Sequence, residues 1–186
     1  MLFKAIKICL LLVLLQGTVG EKKWEYEPMS VDTYSTDESQ LKIESKIDRI
    51  NRGEFGLTFT LDWKYDVDET TMVEATAYSS NSGAESDYKL LPWSIPKQPY
   101  FDYLDTYYKD VLIKNLGHCS NLPQFKEKFQ PPWPKKTYKL EKCIFNGDGL
   151  PEVVPPSFYK VIFKISGPNQ PEWGVTIVVK IKTKLF

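Results

Sequence analysis

The sequence predicts a mainly β fold, an antiparallel β-sandwich accompanied by one amphipathic helix. Three observations carry that prediction. Several separate stretches alternate apolar and polar residues with a period of two, Pro and Gly fall between them at turn spacing, and one segment alternates at helical spacing instead.

In chain order, 24–29 reads as a short strand. Residues 41–50 form the next, with Ile43 and Ile47 on one face, and Asn51-Arg52-Gly53 is a hairpin loop leading into 55–65. That third strand has the cleanest pattern, because Phe55, Leu57, Phe59, Leu61, Trp63 and Tyr65 point one way while polar residues and Gly56 point the other. After the acidic turn 66–69, the Val, Thr and Tyr content of 72–80 predicts another strand. Two strands close the chain: Tyr159, Val161, Phe163 and Ile165 share one face, as do Trp173, Val175, Ile177, Val179 and Ile181, with 167–171 as the loop between them. A further strand is expected at 138–145, ending in the turn Asn146-Gly147-Asp148-Gly149.

The helix is predicted over 101–116. Phe101, Leu104, Tyr108, Val111, Leu112 and Asn115 fall on one side, and Asp102, Asp105, Thr106, Lys109, Asp110 and Lys114 on the other. Pro99 stands ahead of it, acids occupy its first turns, and Gly117 follows as a stop.

The chain opens with Lys4 and Lys7, an apolar run over 8–15, and Thr18-Val19-Gly20 at a peptidase-like site, which reads as a secretory signal peptide over 1–20. Residues 21–186 are then expected to form one domain, secreted and extracellular, with no transmembrane segment, since the apolar run falls far short of the ~20 residues a span needs. Lys and Arg together equal Asp and Glu, 24 of each, and losing Lys4 and Lys7 leaves a slight acidic excess with the signs interspersed. Such a chain has no electrostatic footprint for nucleic acid. Cys9 departs with the leader, so Cys119 and Cys143 are expected to be bridged, closing a loop of roughly 25 residues and contributing about 3.5 kcal/mol by the loop-entropy relation.

The chemistry-bearing residues are sparse. His118 is the single histidine, and it adjoins a cysteine expected in the disulfide, so a Ser-His-Asp or Cys-His device is not predicted. Metal-ligand spacing is lacking, and Asp62, Asp66, Asp68 and Glu69 read as a solvated turn rather than a calcium loop. No catalytic residues, metal or cofactor are expected. What stands out is an aromatic content of 14%, dense at Trp93, Tyr100, Phe101, Tyr103, Tyr107 and Tyr108 and again at Trp133 and Tyr138. Such side chains fill ordinary cores, and they also line the mouths of apolar sites.

Several stretches carry a resemblance: Trp24-Glu25-Tyr26-Glu27, Ile47-Asp48-Arg49-Ile50-Asn51-Arg52-Gly53-Glu54-Phe55, Tyr88-Lys89-Leu90-Leu91-Pro92-Trp93, Tyr107-Tyr108-Lys109-Asp110, Asn115-Leu116-Gly117-His118-Cys119, Pro131-Pro132-Trp133-Pro134, and Cys143 with Gly147-Asp148-Gly149-Leu150-Pro151. With their order, they are similar to the insect chemosensory protein B family, related to the ganglioside-activator branch of lipid-recognition proteins. The resemblance implies a cup-like sandwich whose sheets splay to admit an acyl chain, with the helix near the opening. It also implies a secreted, non-catalytic carrier of a lipid or other apolar small molecule in pheromone response, with a chemosensory receptor or channel as a partner. Ganglioside activators carry several disulfides where this chain has two cysteines beyond its leader, so activator residues do not transfer position by position.

On that reading, Phe59, Leu61, Trp63, Phe163, Trp173 and Ile177 are expected to contact ligand inside, and Trp93, Tyr103 and Tyr107 near the mouth. The alternative is an extracellular interaction protein that modulates a receptor, channel or hydrolase through exposed aromatic loops at 88–108 and 131–138.

Overall fold

The computed structural model describes residues 22–184, so the leader expected at 1–20 lies outside the described residues. These form eight strands, β1 (Trp24–Ser35), β2 (Leu41–Asn51), β3 (Glu54–Trp63), β4 (Met72–Ser80), β5 (Lys89–Pro99), β6 (Lys136–Cys143), β7 (Ser157–Ser166) and β8 (Trp173–Thr183), with a 20-residue helix, α1, over 100–119. The strands pair antiparallel in two open sheets, one ordered β1-β8-β7-β4-β5 and one β2-β3-β6. This is the expected β-sandwich with one helix.

The alternating stretches become strands because one face of each is buried. In β3, Phe59 and Trp63 are buried while Asp62 pairs outward with Lys64. The β2–β3 hairpin turns between Asn51 and Glu54, where the Asn51 amide donates to the Glu54 carboxylate at 2.7 Å. Gly56 permits a close crossing, since a Cβ there would lie 2.7 Å from the backbone of Lys142. Lys142 itself has φ 51°, and the strand expected to reach 145 ends at Cys143 instead.

Two further elements differ from the expectation for identifiable reasons. β5 occupies a stretch read as an exposed loop, because Pro92, Pro96 and Pro99 argue against a strand. It lies at the outer edge of the larger sheet, where only one side needs hydrogen bonds, and its pairing with β4 is interrupted twice. β1 runs on to Ser35 rather than ending at 29, because an irregularity between Pro28 and Ser30 inverts the phase of the alternation. Partners of the inward β8 residues are Tyr26 and Pro28 before it, Val31 and Thr33 after it.

α1 covers one end of the sandwich. Its middle, Leu104–Ile113, is wound as a π-helix, so side chains five apart meet: the rings of Tyr103 and Tyr108 lie 6.2 Å apart, edge to face. The loosened winding carries Tyr103 onto the buried side. Expected near a mouth, Tyr103 is instead 4% exposed within the core.

That core is a dense aromatic cluster built around Trp63, whose ring stacks on Tyr65 at 5.0 Å and meets Trp173 edge-on at 5.4 Å. Tyr100, Tyr108, Trp133 and Tyr138 pack around it, each such ring pair contributing about 0.5–1.5 kcal/mol beyond area burial. A second cluster gathers Phe59 and Leu140 on the Cys119–Cys143 disulfide, whose Cα atoms are 5.5 Å apart. A third joins Trp24, Tyr159 and Ile181.

Candidate functional site

Where β1 and β8 part from β3 and β6, at one end of the sandwich, the structure holds a groove of about 630 Å³. Its apolar lining is Trp24, Tyr26, Phe55, Ile144 and Phe145. Each is placed by local structure. Trp24 and Tyr26 lie two apart on the inward face of β1, Phe55 is the first inward residue after the β2–β3 turn, and Phe145 follows the end of β6. The backbone N–H of Phe145 donates to the Tyr26 hydroxyl at 2.8 Å, setting the two rings edge to face with centroids 6.4 Å apart. The Trp24 indole N–H donates to the Pro151 carbonyl at 2.9 Å, which fixes its ring at the wall.

Burial pushes the Tyr26 phenol above its ordinary value, with the nearby Glu54 carboxylate acting in the same direction and the Phe145 N–H opposing. The rim carries Lys22, Lys182 and Lys184 against Glu25, Glu27 and Glu54, so the signs balance. Lys182 and Glu27 pair at 2.5 Å, an attraction that holds the Glu27 carboxyl below its usual range. Inward from Phe55 on the same face of β3 lies half-buried Leu57, packed with Ile177 and Val31 beside the disulfide cluster. The groove's volume falls within the 300–1,000 Å³ of small-molecule sites, with one aromatic wall facing a charged rim.

A second hollow of about 410 Å³ lies among loop residues including Gln40, Lys64, Asp66, Asp68 and Gln170. Its carboxylates are engaged within turns and ion pairs, Asp66 with Lys135 at 2.6 Å and Asp68 with the Thr70 hydroxyl at 2.6 Å. Among the described residues no three His, Cys, Asp or Glu side chains are grouped as metal ligands. His118 is exposed, and its neighbour Cys119 is in the disulfide.

The residues expected to contact ligand are scattered by the structure. Trp63, Tyr103 and Trp173 belong to the aromatic core, with Leu61 and Phe163 packed against it. Phe59 sits in the disulfide cluster and Ile177 packs half-buried on it. Trp93 is 50% exposed on edge strand β5, its ring parallel to Tyr159 at 6.4 Å, and Tyr107 is exposed on α1. None of the nine lines the groove. Its walls come from the ends of separated segments, and the available signal was narrow: Trp24 and Tyr26 share a strand face, and Phe55 closes the best alternation in the chain.

Val161 lies on the inward face of β7, the central strand of the larger sheet, between Ile177 and Ala77. It is nevertheless 39% exposed, so the smaller sheet and the helix leave the middle of the larger one uncovered.

Fold and groove together define a class: an open antiparallel sandwich of two sheets with one helix and an aromatic-walled groove between the sheet ends. Residues 73–161 match the family described as a protein of unknown function (DUF1091). That stretch runs from β4 through α1 and both disulfide cysteines into β7. No curated protein matches the chain.

Proposed function

We propose that this chain is a secreted, non-catalytic binding protein that takes a lipid or other apolar small molecule, and that it serves chemosensory, pheromone-type recognition. One observation carries the reading: a groove of about 630 Å³, walled by Trp24, Tyr26, Phe55 and Phe145, opens where the two sheets separate. An alkyl chain entering it gains about 0.8 kcal/mol for each buried CH₂, less the cost of association. The leader-like start of the sequence and the resemblance of its motifs to insect chemosensory proteins supply the setting.

The test is native mass spectrometry of protein purified from its source, together with titration by a fluorescent fatty-acyl probe. A retained apolar molecule and saturable probe uptake are expected. Folded protein that carries nothing and binds no probe refutes the carrier.

A second reading, an interaction protein acting on a receptor, channel or hydrolase, is favoured by the exposed apolar side chains of Leu90, Trp93 and Val153. Of the three, Trp93 is of the residue type that anchors protein interfaces. Under this reading Trp93→Ala weakens partner capture, whereas under the carrier reading it leaves probe uptake through the groove intact.

A further inference from the structure

We propose that Tyr26 sets the specificity of the groove, and that its ligand is a neutral, oxygen-bearing apolar molecule, an ester, ketone, aldehyde or alcohol, whose oxygen accepts the Tyr26 hydroxyl proton. The inference rests on the groove being the ligand site and names the class of ligand it takes.

A phenol oxygen has one proton to give and lone pairs to receive. The Tyr26 oxygen accepts the Phe145 N–H, and among the described residues no acceptor takes its proton. Both residues line the groove, so that N–H holds the phenol oxygen at its wall. The indole N–H of Trp24, the other polar tip on that wall, is already committed to the Pro151 carbonyl. Tyr26 is half-buried, so in the empty groove its O–H faces solvent, and a ligand that displaces that solvent must offer an acceptor in its place or leave the donor unmet. A pure hydrocarbon offers none.

The charges argue for a neutral ligand. Three lysines face three glutamates around the rim, and Lys182 is engaged with Glu27. Lys22 donates to the Leu150 carbonyl. Glu54 lines the same groove as Tyr26, and its carboxylate is held at the rim by the Asn51 amide at 2.7 Å. An anionic headgroup at the Tyr26 hydroxyl would meet that carboxylate. Burial keeps the phenol protonated, and therefore a donor, across the physiological range.

The experiment displaces a neutral naphthylamine-type fluorescent probe with methyl laurate, dodecane and laurate, using wild type and Tyr26→Phe. Wild type is expected to bind the ester more tightly than the carboxylate. In Tyr26→Phe the ester should weaken roughly three- to tenfold, the range of one net hydrogen bond, while dodecane stays within about twofold. Equal losses for ester and alkane overturn the role of Tyr26 but leave the carrier standing. Wild type that binds neither overturns both. Because Tyr26→Phe also removes the acceptor of the Phe145 N–H, Glu54→Gln provides a variant that leaves the phenol in place. There laurate should tighten severalfold with the ester unchanged, and a carboxylate already preferred by wild type overturns the neutral-ligand assignment.

Discussion

The indole N–H of Trp173 donates to the hydroxyl oxygen of Tyr65 across 2.9 Å, tying the first residue of β8 to the segment that leaves β3. Both side chains are buried, and the Trp63 indole N–H reaches the Tyr65 carbonyl at 3.1 Å, so one tyrosine links the two sheets at their closed end. In Tyr65→Phe the Trp173 donor loses its acceptor inside the core. The expected cost is about 1–3 kcal/mol in denaturant unfolding, with probe uptake unchanged. A loss under about 0.5 kcal/mol would show that the bond does not hold the sheets together.

Stability should fall steeply at alkaline pH. Burial raises the phenols of Tyr65, Tyr100, Tyr103, Tyr108 and Tyr138 above their ordinary value near 10. The neutral form is thus favoured in the folded protein. Below the ordinary value this contribution is fully present, and as pH climbs beyond it the unfolded chain releases protons that the folded chain retains, so the unfolded state gains. Tyrosinate absorbance and circular dichroism recorded together should change in one cooperative step above about pH 10. Independent tyrosine titration without unfolding would contradict the packed aromatic core.

Alkylation of the native protein without reductant should leave Cys119 and Cys143 unmodified, as read by intact mass. Reduction should cost about 3.5 kcal/mol, because the bridge joins residues 24 apart in the chain. Two modified thiols in folded protein would refute the bridge.

Asn115 fastens α1 to the turn after β6. Its amide nitrogen donates to the carbonyls of Val111 at 2.7 Å and Asp148 at 2.8 Å, and its oxygen accepts the Asp148 N–H at 3.0 Å. Gly149 lets the turn lie that close, since a Cβ there would stand 2.9 Å from the Asp110 carbonyl. Asn115→Leu should cost about 1–3 kcal/mol and open 144–156 to limited proteolysis at protease levels that spare wild type. Unchanged cleavage kinetics would mean the turn is held by other contacts.

Ile177→Gln should lower stability by about 1–3 kcal/mol, as the side chain packs inward on the disulfide cluster, while the folded protein keeps its acyl-probe uptake because Ile177 does not line the groove. Lys180, on the outward face of the same strand, has its ammonium over the Phe158 ring at 5.2 Å, so Lys180→Gln should cost no more than about 1 kcal/mol and leave uptake alone. Loss of uptake in folded Ile177→Gln would move the binding site from the groove into the interior.

Much of this fold is legible in the sequence, since β3, β7 and β8 each keep one alternation phase from end to end, β2 keeps its phase up to the irregularity at Arg49–Asn51, and β4 shows in its Val, Thr and Tyr content. β5 hid behind its three prolines, which are tolerable only because the strand has a neighbour on one side. The far half of β1 hid behind a phase inversion at Pro28–Ser30 that defeats any period-two reading. Aromatic content could not separate core from mouth: the residues at 100–108 and 133–138 divide between buried Tyr100, Tyr103, Tyr108, Trp133 and Tyr138 and exposed Tyr107. The groove was the least legible, because Trp24, Phe55 and Phe145 meet only once three separate strand ends have been brought together.

The pairing of β1 with β8 also sets an order of events during synthesis. The earliest described strand to leave the ribosome finds its hydrogen-bonding partner only after the whole intervening chain has followed, β8 being the latest of the eight. β2 and β3, joined by a tight turn, form their hairpin early, whereas the larger sheet waits for near-completion of the polypeptide. The walls of the groove contributed by β1 therefore take their final position last, and a ribosome-bound chain lacking β8 has no finished site to fill.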